Sequence, residues 1–396
     1  MNKLTIREVD PAGRRVFVRV DFNVPLDPRG AITDDTRIQA SVPTIRYGAE
    51  RGAKLILASH LGRPKGKPNP AMSLRPAAAR LAEILATPVS FANDCVGAEV
   101  ESQARALGAG GVLLLENLRF HAEEEKNDEG FSRQLAALAD LYVNDAFGSA
   151  HRAHASTVGI TKFLAPAVAG LLMEREISYL SKAIENPARP YTAIVGGVKV
   201  SDKIELVENL MRFADNVLIG GAMAYTFLKA KGVEVGASKV EEDKLELART
   251  LFSFGDRRSI HIWLPVDHVV AARLDASSPA EISEGRVPAG RLGADIGPAT
   301  RAEFAAIIAQ SKTIVWNGPM GVFEIPQFAE GTLAVAQAVA RSSAVSIVGG
   351  GDSAAAVHQA GVAARITHVS TGGGATLEFL SGLKLPGVEA LTDKRR

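Results

Sequence analysis

Short apolar runs followed by polar clusters recur through the first half of the chain. Four such runs cover residues 15–20, 54–58, 112–115 and 141–143. Segments with helical periodicity lie between them, at residues 73–86 and 131–139. Strands that are continuously apolar and alternate with helices predict a parallel sheet that is buried on both faces.

The second half keeps this alternation, but its apolar runs end in glycine. Five predicted strands and their glycine turns lie at residues 194–197, 217–221, 314–318, 345–351 and 367–374. Predicted helices cover residues 201–215 with Ser201 as N-cap, 222–231, 301–310 with a capping box of Thr300 and Glu303, and 353–360. Both halves are therefore predicted to be α/β.

One amphipathic segment, residues 171–186, separates the two halves. Pro187 and Pro190 follow it, and proline marks the end of a helix. Two interpretations stay open. The segment is a connecting helix whose ends act as hinges, or it is one more packed helix of the first domain.

Length and charge limit the function classes. A chain of 396 residues exceeds one ordinary core, so two domains of roughly 150–200 residues are expected. Lysine and arginine number 45 against 44 aspartate and glutamate residues, which excludes an overall attraction to nucleic acid or to a membrane surface. Any basic site must therefore be local.

The single cysteine, Cys95, excludes an internal disulfide framework and predicts a reducing, cytoplasmic compartment. No activating group neighbours it in the sequence, so we expect an unreactive thiol. Residues 1–10 lack the apolar core of a signal peptide, and the longest run without a polar side chain, residues 163–173, is too short to span a bilayer.

Basic and polar side chains follow the predicted strands of the first half. Asp21, Asn23, His60, Arg63, Arg119 and Arg152 stand at successive strand ends, and Arg37 lies in the loop after the first strand. Ligands of parallel α/β sheets bind beyond the carboxyl ends of the strands, and guanidinium groups suit phosphate and carboxylate. The pattern predicts an anion site here.

Glycine turns and two lysines mark the second half. Backbone N–H groups exposed at such turns and at helix starts suit the phosphates of a nucleotide. Lys199 and Lys203 follow the turn Gly196-Gly197 and add positive charge there. Asp352 stands at a predicted helix start, where it is either a magnesium ligand or a plain N-cap.

Several other motifs are absent or incomplete. No G-x-G-x-x-G opens a helix and no Walker A sequence is present, which disfavours a dinucleotide-binding dehydrogenase and a P-loop enzyme. His151 and His154 lack a third ligand at metal spacing, so no zinc site is predicted. Residues 123–126, Glu-Glu-Glu-Lys, are expected to form a solvated charged turn.

With these residues in place, the chain closely resembles phosphoglycerate kinase from end to end. The matching stretches are R-V-D-F-N-V-P (19–25), S-H-L-G-R-P (59–64), E-N-L-R-F (116–120), A-H-R-A-H-A-S (150–156), G-G-V-K-V-S-D-K (196–203), W-N-G-P-M-G-V-F-E (316–324), G-G-G-D-S (349–353) and S-T-G-G-G-A (370–375).

The resemblance implies an α/β fold of two Rossmann-like lobes, each a parallel sheet flanked by helices. Residues 1–170 would form the 3-phosphoglycerate lobe, completed by the C-terminal tail 380–396. Residues 171–187 would be the connecting helix and hinge, and residues 188–379 the nucleotide lobe. The resemblance also implies a monomer. Because the predicted anion and nucleotide sites lie in different halves of the chain, hinge-bending motion is expected to bring them together.

The resemblance further implies a role for each candidate residue. The substrate residues would be Asp21, Asn23, Arg37, His60, Arg63, Arg119 and Arg152. The nucleotide residues would be Lys203, Gly220, Gly221, Gly293, Asn317, Glu324, Gly350, Gly351, Asp352 and Ser353. Asp352 would lie near a Mg²⁺ ion, and Lys199 and Arg37 would be catalytic, Lys199 at the phosphoryl group in transfer and Arg37 at the carboxylate.

The expected function is reversible, Mg-dependent phosphoryl transfer between ATP and the carboxylate of 3-phosphoglycerate. A carboxylate is ionised at neutral pH, so no general base is needed. The alternatives are another acyl-phosphate-forming kinase and a non-catalytic nucleotide-binding protein on the same fold.

Overall fold

The computed structural model describes residues 2–394 and divides the chain into two compact units. One unit contains the residues up to Ser178 together with those from Lys384 onward. The other contains Tyr179–Leu383.

The first unit is built on a six-stranded parallel sheet. Its strands are β1 (Arg15–Arg19), β2 (Lys54–Ala58), β3 (Val89–Phe91), β4 (Val112–Leu114), β5 (Leu141–Asn144) and β6 (Ala167–Ala169). Their order across the sheet is β3-β4-β2-β1-β5-β6. Val16, Phe17 and Val18 of β1 are fully buried, because helices cover both faces of the sheet.

The helices of the first unit lie in the crossovers between these strands. They are α1 (Thr36–Glu50), α2 (Arg75–Leu85), α3 (Ala98–Ala106), α4 (Ala122–Glu125) and α5 (Glu129–Ala136). The three-residue strands β3 and β6 were not predicted, because β3 has a serine at its centre and β6 contains two alanines, so neither forms a strongly apolar run.

The helix α6 (Leu171–Ile184) matches the predicted connecting segment, and the division between the units falls inside it. Its start is capped by Asp145, whose carboxylate accepts hydrogen bonds from the Leu172 and Met173 backbone N–H groups at 2.9 and 3.3 Å. Burial raises the pKa of Asp145 to about 6. A Cβ atom at Gly170 would lie 2.1 Å from this carboxylate, so the cap requires glycine there.

The second unit repeats the architecture with a second six-stranded parallel sheet. Its strands are β7 (Tyr191–Val195), β8 (Asn216–Ile219), β9 (His261–Trp263), β13 (Thr313–Asn317), β14 (Val345–Gly349) and β15 (His368–Val369). Their order is β15-β14-β13-β7-β8-β9. A separate antiparallel sheet of order β11-β10-β12 is formed by β10 (Asp267–Ala271), β11 (Glu281–Glu284) and β12 (Leu292–Ile296).

The helices of the second unit are α7 (Ile204–Leu210), α8 (Met223–Ala230), α9 (Leu245–Arg258), α10 (Pro298–Gln310), α11 (Glu330–Arg341), α12 (Gly351–Gln359) and α13 (Gly374–Leu380). None of the helices in residues 2–394 is both long and apolar enough to cross a membrane.

Residues from Lys384 onward, including α14 (Pro386–Glu389), belong to the first unit. The Gly387 N–H donates to the Ala150 carbonyl at 2.8 Å, and the Thr392 N–H donates to the Ala167 carbonyl at 2.8 Å. The C-terminal segment up to Lys394 is therefore held by the edge strand β6 and by loops of the first unit.

Two predicted helix starts are wrong. The helix predicted from Ser201 begins at Ile204, because the Ser201 hydroxyl donates instead to the Glu241 carboxylate at 2.6 Å. The helix predicted from Arg301 begins at Pro298, and Thr300 forms no capping box with Glu303. The Thr300 hydroxyl and N–H both donate to Asp267, at 2.6 and 2.8 Å.

Asp267, a residue of β10, therefore caps α10. We expect the change Asp267→Ala to destabilise the second unit by roughly 1–3 kcal/mol. Asp267 is 4 % exposed and also accepts from the Ala299 N–H at 2.8 Å. Both tryptophans, Trp263 and Trp316, lie in the second unit, so the urea midpoint of tryptophan fluorescence measures this effect.

The matched control is Asp243→Ala, an exposed carboxylate that pairs with Lys244 and should leave the midpoint unchanged. Burial raises the pKa of Asp267, but the hydrogen bonds from Thr300 and Ala299 leave it below its usual value. The stabilisation is thus complete at neutral pH and should shrink as the pH falls below about 4. Equal midpoints for Asp267→Ala and Asp243→Ala would contradict the cap.

Candidate active site

The predicted substrate residues of the first unit lie after four strands that are adjacent in the sheet. The segments after β4, β2, β1 and β5 carry Arg119, His60 with Arg63, Asp21 with Asn23, and Arg152. The prediction that Arg37 lies in a loop is wrong, because α1 begins at Thr36 and Arg37 is in its first turn. The carboxyl ends of adjacent parallel strands share one edge of the sheet. The fold therefore gathers at one edge residues that are spread over more than 130 positions of sequence.

Hydrogen bonds join several of these residues to one another or to the loop after β2. Arg37 Nη1 donates to Asp21 Oδ2 at 3.0 Å in a half-buried ion pair. The Gly62 N–H donates to Asn23 Oδ1 at 2.9 Å, and Arg119 Nη1 donates to the Gly62 carbonyl at 2.9 Å. Asn23 and Arg119 thus hold the backbone of the loop after β2 from both sides.

Two buried polar residues fix these loops, and sequence reasoning missed both. Asn117 is 1 % exposed, and its amide donates to the Leu61 carbonyl at 2.7 Å and to the Met72 carbonyl at 2.9 Å. The Ser59 hydroxyl accepts from the Phe22 N–H at 2.8 Å. Their position was a signal that could have identified them, because each is a polar residue in the segment directly after an apolar strand.

A buried charge network lies beneath the edge. Arg19 is 1 % exposed, and its Nε donates to the Ser156 hydroxyl at 2.8 Å. That hydroxyl donates to Glu124 Oε1 at 2.5 Å, and the Ser156 N–H donates to Glu124 Oε2 at 3.0 Å. Burial raises the pKa of Glu124, whereas Arg19 and Ser156 act to lower it.

This network corrects the prediction that residues 123–126 form a solvated charged turn. Residues Ala122–Glu125 form α4, and Glu124 is completely buried. Its neighbour Glu125 pairs with Arg119 at 3.2 Å. The prediction failed because the partner Arg19 lies about a hundred residues away in sequence, and its position inside an apolar strand was the signal for a buried charge.

His60 is held in a defined protonation state by its neighbours. Burial and the positive charges of Arg19, Arg119 and Arg37 lower the pKa of His60 well below its usual value. Arg19 Nη2 lies 3.2 Å from His60 Nδ1, and a guanidinium can only donate. Nδ1 therefore accepts, and Nε2 carries the proton as a neutral hydrogen-bond donor.

The remaining basic residues differ in their surroundings. Arg152 is half-buried, and its Nε donates to His151 Nε2 at 3.0 Å. Burial lowers the pKa of the Arg119 guanidinium, and the positive charges of Arg19 and Arg152 act in the same direction, whereas Glu125 opposes them. Arg63 is exposed, and its side chain makes no hydrogen bond within residues 2–394.

In the second unit the predicted nucleotide residues other than Gly293 lie at the ends of the adjacent strands β14, β13, β7 and β8 or in the segments after them. The Lys203 ammonium donates to Asn317 Oδ1, and Asn317 Nδ2 donates to the Gly349 carbonyl at 2.6 Å. The Ser353 hydroxyl accepts from the Gly318 N–H at 2.6 Å. Side chains from three loops are thus joined into one surface at this edge.

Two of the glycine turns press directly against each other. A Cβ atom at Gly196 would lie 2.1 Å from the Pro319 carbonyl oxygen, and one at Gly318 would lie 2.1 Å from the Gly196 carbonyl oxygen. These glycines are therefore required by backbone packing within the unit. Gly351, in contrast, has open space where its Cβ would be, so a ligand can approach the backbone there.

The other predicted residues of this unit vary in exposure. Lys199, Glu324 and Asp352 are exposed. Burial lowers the pKa of the half-buried Lys203, while the Asp352 and Asp202 carboxylates act in the opposite direction, so Asp352 lies near that ammonium. Gly220 and Gly221 form the turn after β8, and Gly350 has a left-handed backbone with φ of 94° beside Asn317.

Gly293 lies in β12 and packs against Tyr225 of α8. A Cβ atom at Gly293 would lie 1.8 Å from the Tyr225 hydroxyl oxygen of α8, and the Gly293 N–H donates to the Ser238 hydroxyl at 2.9 Å. α8 begins directly after the Gly220-Gly221 turn.

One further group of ligand-type side chains occurs in the first unit, where atoms of Asp94, Cys95 and His121 lie within 4.8 Å of one another. His121 Nε2 lies 2.7 Å from Asp94 Oδ1, so the ring nitrogen already has a partner. Burial, with Asp94 and Glu124 adding to it, raises the pKa of the Cys95 thiol well above its usual value. We assign no metal to this group.

Comparison with known proteins relates the whole chain to one family. The profile of the family described as phosphoglycerate kinase matches residues 6–383. The phosphoglycerate kinases of Koribacter versatilis and Solibacter usitatus are 59 % and 60 % identical to it, over 100 % and 99 % of this chain and all of theirs. The solved phosphoglycerate kinase of Coxiella burnetii superposes with a TM-score of 0.89 at 41 % identity, covering 98 % of both chains.

The hydrogen bond from Arg19 predicts the state of His60 in solution. Long-range ¹H–¹⁵N correlation spectra should show the His60 ring neutral, protonated at Nε2, and without titration between pH 5 and 8. The spectrum of the variant His60→Gln should lack this signal, which assigns the signal to His60. A titration midpoint near pH 6.5, or a proton on Nδ1, would show that the arginines do not control the protonation state of this ring.

Proposed function

The chain belongs to the phosphoglycerate kinase family, whose members transfer a phosphoryl group reversibly between ATP and the carboxylate of 3-phosphoglycerate, and we propose how its residues divide that work. It is a phosphotransferase that uses a carboxyl group as acceptor. The predicted α/β fold and the predicted function are both confirmed.

The observation that carries the assignment of the acceptor site is the excess of arginine at one edge of the first sheet. Arg37 and Arg119 have one carboxylate partner each, and Arg152 has a histidine. The phosphate and carboxylate of 3-phosphoglycerate would supply the missing negative charge. Asp21, Asn23, Arg37, His60, Arg63, Arg119 and Arg152 are the proposed substrate residues.

His60 adds a neutral donor to this site. Its Nε2–H can donate to an acceptor oxygen of the substrate without adding another positive charge next to Arg19 and Arg119. Arg37 is proposed to contact the reacting carboxylate, with Asp21 fixing the direction of its guanidinium.

The nucleotide is proposed to bind at the joined loops of the second unit. Lys203 and the turn from Gly350 to Ser353 would hold phosphates, with Gly220, Gly221, Gly293, Asn317 and Glu324 completing the site. The open approach to Gly351 and the half-buried ammonium of Lys203 support this placement. Lys199, exposed on the same loop as Lys203, is free to reach the transferring group.

The donor set also fits a magnesium ion that is bound mainly by nucleotide phosphates. Mg²⁺ commonly takes one or two carboxylates and keeps several waters. Asp352 is an exposed carboxylate near Lys203, and it is the proposed protein ligand. When bound, the ion supplies neutralisation of phosphate charge.

The protein's own contribution to the reaction is alignment and charge neutralisation. The acceptor carboxylate is already ionised, and phosphoryl transfer spreads negative charge over the equatorial oxygens in the transition state. Lys199 is proposed to stabilise that charge. The residues for both roles are present, so nothing favours a non-catalytic protein or another acyl-phosphate-forming kinase. Hinge motion, a monomeric state and a cytoplasmic location stay predictions.

The activity is tested directly by supplying Mg-ATP with 3-phosphoglycerate and trapping the acyl phosphate with hydroxylamine. We expect the hydroxamate to form with 3-phosphoglycerate and to be absent with acetate, because acetate lacks the phosphate that the arginines bind. Equal hydroxamate yields with both acceptors would contradict the assignment of the arginine site.

The change Lys199→Ala is expected to lower kcat by a factor on the order of 10²–10³, the range for losing one group that stabilises transition-state charge. The Kd for ADP should change by less than about threefold, since Lys203 still holds the phosphates. Arg37→Ala should instead impair the use of 3-phosphoglycerate while leaving the Kd for ADP unaltered.

The kcat values are obtained from initial rates, and the Kd values for ADP from calorimetric titration. Lys229→Ala, a lysine of α8 that pairs with Glu242, serves as the control. Near-normal turnover of Lys199→Ala would refute its role, and equal losses of ADP and 3-phosphoglycerate binding in Arg37→Ala would refute the division of the sites.

A further inference from the structure

The loop that carries Lys199 is anchored by one carboxylate from outside the loop. The Val200 and Ser201 N–H groups both donate to Glu241 Oε2, the latter at 3.2 Å. The Ser201 hydroxyl donates to Glu241 Oε1 at 2.6 Å. Both carboxylate oxygens are thus engaged by the two residues that follow Lys199.

Glu241 is itself fixed from the interior of the second unit. Its backbone N–H donates to the Thr226 hydroxyl at 3.1 Å, and Thr226 is a 1 % exposed residue of α8. Burial raises the pKa of Glu241, but the hydrogen bonds from Ser201 and the backbone leave it below its usual value. The group is therefore an ionised carboxylate at neutral pH, and its hydrogen bonds are charge-assisted.

The two residues before the anchor, Val198 and Lys199, are both exposed, Val198 to 57 %. Gly197 before them is held by two backbone hydrogen bonds, since its N–H donates to the Pro319 carbonyl and its carbonyl accepts from the Met223 N–H, both at 3.0 Å. On the far side, the Val200 side chain is buried. Glu241 and the Val200 side chain together fix the backbone immediately after Lys199, whose own side chain is exposed.

We propose that Glu241 is a positioning residue for phosphoryl transfer, which holds the loop 198–201 so that the Lys199 ammonium is directed at the transferring group. This inference rests on the proposed role of Lys199. A lysine side chain loses much rotational freedom when its ammonium is held in one direction. Such a group stabilises a transition state best when the backbone that carries it is already in its final position. Glu241 does not contact the reacting atoms.

The first test compares Glu241→Ala and Glu241→Gln with Glu242→Ala. Glutamine keeps one oxygen for the backbone N–H groups, and its amide can donate to the Ser201 hydroxyl. We expect kcat to fall about tenfold or more in Glu241→Ala, which corresponds to about 1.4 kcal/mol, and to stay within about threefold of wild type in Glu241→Gln. The Kd for ADP should stay within about twofold in both.

Glu242 is the matched control because it is the neighbouring glutamate and pairs with Lys229 on the surface. Its change to alanine should leave kcat and the Kd for ADP unaltered. A tenfold weaker ADP affinity in Glu241→Ala, with kcat unchanged, would overturn the proposal and indicate a role in the nucleotide site alone.

The second test places Glu241→Ala in the Lys199→Ala background. If Glu241 acts through Lys199, the double variant should be no more than about twofold slower than Lys199→Ala. A further tenfold loss would show that Glu241 acts independently of the lysine and would overturn the proposal. If Lys199→Ala itself retains normal turnover, the role of Lys199 fails instead, so the two failures are distinct.

A variant that does not fold is recognised by the fluorescence of Trp263 and Trp316, both in the second unit. In that case Ser201→Ala, which removes one of the three hydrogen bonds, takes the place of Glu241→Ala in both backgrounds. It should lower kcat about threefold alone and have no effect beside Lys199→Ala. Any other pattern contradicts the proposal.

Discussion

The register of parallel strands decides where the chemistry of this protein lies. In the first unit β1 pairs with β2 and β5, so Val18 is level with Leu57 on one side and Val143 on the other. The three strands therefore end together, and the polar residues that follow them meet at one edge. In the second unit Asn317 is level with both Gly349 and Val195, which places its amide beside the Gly349 carbonyl.

The edge of the first sheet that carries Arg37, Arg119 and Arg152 keeps its positive charge because the fully buried carboxylate of Glu124 is directed inward. Glu124 meets Arg19 through the Ser156 hydroxyl, on the interior side of the loops. This arrangement satisfies a buried guanidinium, which would otherwise be strongly unfavourable, without neutralising Arg37, Arg119 or Arg152. It also keeps His60 uncharged, because Arg19 donates to Nδ1. One buried network thus serves stability and sets the electrostatics of the site.

Three carboxylates perform the same task in different places: each satisfies the N–H groups of a segment far away in the sequence. Asp145 caps α6, Asp267 caps α10, and Glu241 holds the loop after Lys199. Backbone N–H groups at helix starts and in loops lack partners within their own segment. A carboxylate fixed on another element supplies the acceptor and at the same time determines where the segment lies.

Local pattern predicted the apolar parallel strands such as β2, β7 and β13, and the residues that follow them, but it missed three long helices, α1, α9 and α11, and the whole antiparallel sheet. Runs such as 54–58 are apolar throughout, and burial of a parallel strand on both faces demands that composition. Three of the errors share one cause. Ser201, Thr300 and Glu124 each looked like a local cap or a solvated charge, and each is engaged by Glu241, Asp267 or Arg19 from another part of the chain.

The sequence by itself determined which side chains stand at the strand ends and which turns contain glycine, because those properties depend on neighbouring residues. It did not determine the strand order β3-β4-β2-β1-β5-β6, nor the partners of the buried charges. These depend on contacts between distant segments, whose geometry exists only once the sheet has formed. The position of the loop that carries Lys199 is decided in the same way, by a carboxylate about forty residues further along the chain.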